Sequence, residues 1–491
     1  MTTKLAAASL SAITTATVPQ YDRAALSAGI VHFGIGNFHR AHQAIYLDDL
    51  FATGADHDWA LVGAGVRPAD AAMRDKLAEQ NWLTTVVEQE AEASSARVTG
   101  AMIDYLEPGD SAAVIARLAD PAIRIVSLTI TEGGYYIDPA SQRFDPTHPD
   151  IAFDAANMDA PRTAFGLILA GLLRRRAAGT QPFTVMSCDN IPGNGHVTAN
   201  AVIGLARLVD AELADWVDAN VAFPNGMVDR ITPATSERER QLLAEQFGIA
   251  DNWPVFCENF KQWVLEDHFP AGRPALERVG VQFVDDVAPY ELMKIRILNG
   301  GHATIAYPAA LLDIHFVHEA MQDRMVCDFL AKVENDEIIP IVPPVPDTDL
   351  KAYFAQCERR FANPKIGDTT RRLALDGSNR QPKFIIPSAL DRLAKGQSVQ
   401  GLALVSALWC RYCFGTTESG AAIEPNDPSW ERLTAQAQRA KADPAAWLEM
   451  ADIYGELAKN PSFINAFTQA LNTLWSIGTR ATLARYLAGG L

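Results

Sequence analysis

The stretch Ile30-Val-His-Phe-Gly34-Ile-Gly36-Asn-Phe38-His-Arg40-Ala-His42 decides how the rest of the chain is read. A β-branched apolar run enters a Gly-x-Gly and continues into residues with helical spacing, which predicts a strand, a tight turn and a helix. Glycines at 34 and 36 let the backbone turn sharply and come close to a pyrophosphate, whose charge then sits at the positive end of the helix. A full fingerprint has a third glycine at position 39, where this chain carries His39. Gly-x-Gly alone also serves any tight strand-to-helix turn, so the surrounding pattern has to carry the reading.

That pattern repeats along the chain. Strands are predicted over residues 30–33, 59–62, 123–130 and 183–187, with helical spacing over 161–176 and 197–217. Strands alternating with longer helical runs indicate a parallel sheet covered by crossover helices, an α/β fold of Rossmann type. Extended segments recur at 255–258 and 281–284, and after about residue 286 helical spacing takes over. A chain of 491 residues must divide, because single cores stop growing near ~250–300 residues. The expected division is a Rossmann-type dinucleotide-binding domain over 1–285 and a mainly α-helical substrate and catalytic domain over 286–491. Residues 338–346, with four prolines among apolar residues, read as a connection inside the second domain.

Composition narrows the function class. The 42 Lys+Arg against 59 Asp+Glu leave a formal charge of −17, which opposes loose binding to nucleic acid or anionic lipid. The longest clean apolar run, residues 165–173, is about half the ~20 residues a spanning helix needs and stops at Arg174-Arg175-Arg176. Residues 1–20 have neither the apolar core of a signal peptide nor the arginines of a transit peptide. Six cysteines are sparse for this length and suit buried thiols in a reducing compartment. A cytoplasmic monomer acting on a small molecule, with no nucleic-acid or membrane partner, is expected. Cys410-Arg-Tyr-Cys413 lies in an apolar helical run and reads as two core positions rather than a zinc or redox site.

The second strand leads into Gly63-Ala-Gly65-Val-Arg67-Pro-Ala-Asp70, roughly 20 to 35 residues beyond the first glycine, where an acid for the adenosine ribose is expected. Asp70 fits that role, and equally fits an acidic residue in the first turn of a helix. Arg67 beside it suits the 2′-phosphate of NADP, which leaves NAD and NADP both open on the residues alone. Further on, Ala288-Pro-Tyr290-Glu-Leu-Met-Lys294-Ile-Arg-Ile-Leu-Asn299-Gly-Gly-His302 has helical spacing yet sets lysine, asparagine and histidine among apolar neighbours. At about 100° per residue, Asn299 lies about 140° and His302 about 80° from Lys294, on one broad face. Gly300-Gly301 inside a helix costs about 1 kcal/mol each relative to alanine, which makes sense where something approaches the backbone closely.

The chain resembles the polyol-specific long-chain dehydrogenases, a family that includes mannitol and arabinitol dehydrogenases and uronate reductases. The residues that carry the likeness are Gly34-x-Gly36-x-Phe38-His-Arg40-Ala-His42, Thr129-Ile-Thr-Glu-Gly-Gly-Tyr135, Ser187-Cys-Asp-Asn190, Met227-Val-Asp-Arg-Ile-Thr-Pro233, the run from Lys294 to His302, and Asp376-Gly-Ser-Asn-Arg-Gln-Pro-Lys-Phe384. They span nearly the whole chain, the likeness is nearest to the mannitol 2-dehydrogenase members, and His39 is no departure from the family's pattern. The resemblance implies metal-independent hydride transfer between NAD and a C5 or C6 polyol or 2-ketose, mannitol to fructose first and arabinitol second. It implies Lys294 as general base, Asn190 and Asn299 on the developing alkoxide, His302 positioning substrate, and Glu132 on the proton's route to solvent. Asp229 would line the substrate site, and Arg372 and Arg380 would contact substrate hydroxyls; Gly34, Gly36, Phe38, Arg40 and Asp70 would meet the cofactor. Arg371 stands next to Arg372, and Asp229 next to Arg230 with which it could simply pair.

These roles agree with elementary chemistry. Oxidising a secondary alcohol needs a base for the hydroxyl proton, and a lysine whose ordinary pKa is near 10.4 serves only where its charged form is disfavoured, as on an apolar helix face. Amide donors aimed at the oxygen stabilise its negative charge in a dry site. Rival readings are a Tyr290-x-x-x-Lys294 pair of short-chain type, zinc chemistry at His315 and His318, a uronate reductase using Arg372 or Arg380 as a carboxylate clamp, and an NAD-binding redox sensor without turnover.

Overall fold

The computed structural model describes residues 2–138 and 143–491, which form two compact units, Met1–Ala288 and Pro289–Leu491. In chain order the strands that matter in the first unit are β1 (Ala28–Phe33), β2 (Ala60–Ala64), β3 (Thr84–Gln89), β4 (Ser94–Thr99), β5 (Met102–Tyr105), β6 (Ile125–Leu128), β7 (Thr184–Ser187), β8 (Gly226–Asp229), β9 (Val255–Glu258), β10 (Gln262–Glu266) and β11 (Gln282–Val284). The central sheet is parallel throughout, in the order β7-β6-β1-β2-β5. The chain therefore winds from β1 out to β5, then crosses back to β6 on the other side of β1. The carboxyl ends of β1 and β6 flank the point where winding reverses, the place where open α/β sheets bind ligands.

Alternation along these strands builds two apolar layers. Val31, Phe33, Val62, Val126, Leu128 and Val185 face one, with Phe165 and Leu169 of a covering helix. Ile30, Leu61, Ile125 and Met186 face the other, with Leu47, Phe51 and Trp263. Both faces are covered, which is why these strands read as continuous apolar runs in sequence. The helices used below are α1 (Asn37–Ala41), α2 (Gln43–Ala52), α3 (Pro68–Ala78), α4 (Ala164–Ala178) and α5 (Asn194–Val209). Thr163 caps α4 by accepting from the Gly166 N–H at 2.9 Å, and Gly179 ends it at φ +66°. Arg175 near its end is buried, its guanidinium donating to the carbonyls of Leu118, Gln181, Asp120 and Ile123. The run expected as one helix over 197–217 is two. Asp210, in extended backbone at φ −163°, accepts from the Glu212 N–H and starts a second helix at Ala211. Two three-stranded sheets, β9-β3-β4 and β8-β10-β11, and two two-stranded ones, Thr3–Lys4 with Ile249–Ala250 and Ile137–Asp138 with Arg143–Phe144, lie in the same unit.

The second unit is helical: α6 (Ala288–Met293, whose first residue belongs to the first unit), α7 (Gly300–Leu311), α8 (Arg324–Val333), α9 (Leu350–Phe361), α10 (Thr370–Leu373), α11 (Gly377–Phe384), α12 (Gln400–Cys413) and α13 (Pro461–Leu487). π-helical turns occupy Lys294–Asn299, between α6 and α7, and Glu334–Ile338, after α8. Helix α12 is buried from Gly401 to Cys413, so Cys410 and Cys413 are core positions, and burial raises both thiols well above their ordinary range. No helix among the described residues is long and apolar enough to cross a membrane.

Candidate active site

At the end of β1 the backbone turns at Gly34 with φ +91°, and a Cβ there would lie 2.2 Å from the Thr129 carbonyl oxygen at the end of β6. Only glycine fits. Gly36 starts α1, and a Cβ there would meet nothing nearer than the Gly34 carbonyl at 3.9 Å, so the loop is open on that side. A tight glycine backed by the neighbouring strand and a second one facing free space at a helix start form a cradle that fits a dinucleotide's pyrophosphate.

The residues after the glycines hold this loop from behind. His32 Nδ1 lies 2.7 Å from Ser127 Oγ and its Nε2 2.8 Å from Thr129 Oγ1, while the Thr129 hydroxyl donates to the Gly34 carbonyl at 2.6 Å. His39, in place of a third glycine, stacks on His32 with ring centroids 3.5 Å apart. Burial pushes His32 and His42 down to about 3 and His39 well below its ordinary value, so all three rings are neutral. Phe38 stacks on His42 and is half-buried. The expectation for Arg40 needs correcting: its side chain is buried and turned inward, donating to the Trp253 carbonyl and to Asn37 Oδ1, so it braces the turn instead of offering its charge to a phosphate. Asn37, which sequence reasoning passed over, ties the same turn to Pro233 and Thr235.

Asp70 sits in the first turn of α3, where one oxygen, Oδ2, accepts the backbone N–H groups of Val66 and Arg67, both at 2.9 Å. The helix-start reading of this residue is thus realised. Its other oxygen lies 3.7 Å from the exposed Arg67 guanidinium. Gly65 is required beside it, since a Cβ would come within 2.5 Å of the Asp70 Cβ.

The other proposed residues of the first unit lie at strand ends. Asn190 is exposed, three residues beyond the end of β7. Glu132 is exposed in a short 3-10 turn, Glu132–Tyr135, that follows β6. Between them lies Asp189, another residue not singled out from sequence. Its carboxylate accepts from the Ile130 N–H, the Thr131 N–H and the Tyr135 hydroxyl at 2.9, 2.9 and 2.8 Å. Burial outweighs these donors and raises its pKa. Thr131 is held at φ 64°, ψ 165°, a region that is essentially glycine's and costs a threonine on the order of 1–3 kcal/mol. Asp229 ends β8 and is buried. The neighbouring Arg230 guanidinium contacts Glu88 at 2.5 Å and the carbonyls of Glu258 and Ala41.

In the second unit Lys294 opens the first π-turn and is only 5% exposed, with Ile297 and Leu298 of the same turn buried. A π-turn advances less per residue than an α-helix, so the angles expected for Asn299 and His302 from α-helical spacing do not hold. Asn299 closes the turn, and His302, in the first turn of α7, packs on Phe361 of α9 with ring centroids 4.2 Å apart. The close approach expected at the glycine pair is found at Gly301, where a Cβ would lie 3.2 Å from Glu334 Oε1 and 3.4 Å from the Phe361 ring. Tyr290 is buried and donates its hydroxyl to the Pro346 carbonyl at 3.2 Å, which turns it away from the short-chain role. Arg372 pairs through Nε and Nη2 with Asp368, and Arg380 donates to the Leu373 carbonyl at 2.9 Å. Arg371, the alternative to Arg372, is tied to the carbonyls of Glu424 and Pro425. Among the described residues no group of three or more His, Cys, Asp and Glu could hold a metal ion.

A doubly wound domain with a dinucleotide cradle at its switch point, followed by a helical domain bearing a buried lysine, defines the two-domain class of nicotinamide-dependent dehydrogenases. Residues 28–278 match the family model described as mannitol dehydrogenase Rossmann domain, and 286–475 match the mannitol dehydrogenase C-terminal domain. The chain belongs to the mannitol dehydrogenase family. It is 63% identical over 473 residues to a mannitol 2-dehydrogenase of Cereibacter sphaeroides, covering 96% of this chain and 99% of that one. Among solved structures, a Pseudomonas fluorescens mannitol 2-dehydrogenase in ternary complex with NAD and D-mannitol is 43% identical over 99% of both chains, with a TM-score of 0.86. A D-sorbitol dehydrogenase in substrate-free form is 34% identical, with a TM-score of 0.92, over 98% of this chain and 100% of that one.

Proposed function

We propose that the protein is an NAD-dependent polyol dehydrogenase that interconverts D-mannitol and fructose at C2. The observation that carries the reading is likeness over 99% of the chain to an enzyme whose structure holds NAD and D-mannitol. The division of labour is cofactor binding by residues 1–285 and substrate chemistry led by 286–491. Bound NAD supplies the hydride acceptor. Lys294 takes the C2 hydroxyl proton, its burial among Ile297 and Leu298 favouring the neutral amine a base requires. Asn190 and Asn299 donate to the oxygen as negative charge grows on it. His302, set against Phe361, orients the substrate; Asp229, Arg372 and Arg380 meet its hydroxyls, and Glu132, exposed on its turn, passes the proton to solvent. Six free cysteines suit work in the cytoplasm. The large exposed apolar side chains, Leu208, Leu375, Leu390 and Ile477, sit on separate segments, which suits a monomer.

Of the two arginines that could clamp a uronate carboxylate, Arg372 is paired with Asp368, while Arg380 donates to the carbonyls of Arg372 and Leu373, so a uronate is the second reading. Assays of NADH absorbance with D-mannitol, sorbitol and arabinitol, and of NADH consumption with fructose and fructuronate, test the reading. The highest kcat/KM is expected for the mannitol and fructose pair with NAD; a higher value for fructuronate than for fructose reassigns the protein to the uronate reductases.

A further inference from the structure

β6 and β7 run side by side with Leu128 opposite Ser187, and the ladder gains one more rung where the Cys188 N–H donates to the Leu128 carbonyl at 2.8 Å. Beyond that rung the two chains separate. One becomes Thr129-Ile-Thr131-Glu132, the other Asp189-Asn190. The Asp189 side chain, 8% exposed, reaches across the gap and takes the two consecutive N–H groups of Ile130 and Thr131, one on each oxygen. Tyr135, at the far end of the Glu132 turn, closes the loop from its other side by donating to Asp189 Oδ2 at 2.8 Å while its hydroxyl meets Ser187 Oγ at 2.6 Å. The backbone of Asp189 is itself anchored: Asn194 Nδ2 donates to its carbonyl at 3.0 Å and to the Gly226 carbonyl at 2.8 Å.

We infer that Asp189 is a positioning residue for the reaction, one carboxylate that fixes both the strand end carrying Asn190 and the turn carrying Glu132. The inference rests on the roles proposed for those two residues. Its physical core is Thr131. A β-branched residue adopts φ 64° with ψ 165° only where its surroundings over-determine it, and the N–H bond from Thr131 to Asp189 Oδ1 is the contact that does so. Glu132 follows directly, so the direction in which the turn leaves β6 depends on that strained peptide. Release of Thr131 swings Glu132 away from Asn190, whose strand end Asn194 still anchors, so the two residues lose their fixed relation.

The test uses the intact enzyme with D-mannitol and NAD. In Asp189→Asn an amide N–H faces a backbone N–H, and one of the two links breaks. Misplacement by about an ångström can cost on the order of 100-fold, so a fall in kcat of that order is expected, with the KM for NAD and the dissociation constant for NADH little changed. Thr131→Gly placed in the same chain should restore most of the loss, because glycine adopts that backbone without help. A merely structural Asp189 predicts the opposite: kcat, cofactor affinity and Tm fall together, and Thr131→Gly rescues nothing, which overturns the inference. So does Asp189→Asn with kcat within about twofold of the parent, a change too small for lost positioning. Should Asp189→Asn not fold, Tyr135→Phe removes one donor only; it should lower kcat more than it changes cofactor affinity, and an unchanged kcat overturns the inference by that route. Asn190→Ala and Glu132→Gln made alongside separate the two levels. If these leave turnover intact, the proposed roles fail; if they abolish it while Asp189→Asn does not, only the positioning fails.

Discussion

Lys294 and Tyr290 stand one helical turn apart, and the two chemistries that their spacing allows assign them opposite parts. With Lys294 as base, Lys294→Ala should lower kcat at least about 100-fold. Its pH profile should lose the ionisation that makes polyol oxidation rise with pH in the parent. Tyr290→Phe should leave kcat near the parent's and cost about 1 kcal/mol of stability through its lost bond to Pro346. The reverse pattern, with Tyr290→Phe inactive and Lys294→Ala active, would sink the lysine mechanism. Asp70 carries a double prediction of the same kind. Because its Oδ2 holds the Val66 and Arg67 N–H groups, Asp70→Ala should lower stability by about 2 kcal/mol, read as Tm. Because its remaining oxygen is proposed for the ribose, the same substitution should narrow the preference for NAD over NADP in kcat/KM. A lowered Tm with an unchanged preference leaves Asp70 as a helix-start residue alone.

At the scale of elements, the two π-turns are what sequence periodicity was least able to reveal. Lys294 to Asn299 and Glu334 to Ile338 keep helical composition, and nothing in residue spacing marks one extra residue per turn. The glycine pair did signal a close neighbour, and that neighbour is Glu334, fully buried, with no hydrogen-bond partner for either oxygen among the described residues. Burial raises its carboxyl well above the ordinary 4.5. A carboxyl that keeps its proton longer when folded stabilises the fold below pH 4.5, and that stability is lost as pH rises toward the folded value. Glu334→Gln should therefore flatten the decline of Tm with pH over that interval; a decline as steep as the parent's would refute the assignment. Other elements were legible because one periodicity dominated them: β1, β2, β6 and β7 as buried runs, α4 as an apolar stretch between Thr163 and Gly179. The split at Asp210 was missed because apolar spacing continues across it, and the inward turn of Arg40 because motif position does not give side-chain direction.

For the molecule as a whole, a Rossmann-type parallel sheet followed by a mainly helical domain was readable from the alternation of patterns, whereas the order of the strands and the bonds that hold the cradle, which join residues about 95 positions apart, left no trace in spacing. An amine base and a donor set of amides predict that activity survives prolonged chelation; loss of turnover restored specifically by zinc would contradict it. The cradle also simplifies how the enzyme's response to acidity can be interpreted. His32, His39 and His42 are three of the chain's ten histidines, and burial silences all of them across the range where imidazoles ordinarily titrate. They are spectators in any titration between about pH 5 and 8, so a histidine signature seen there, in rate or in imidazole resonances, reports on the other seven.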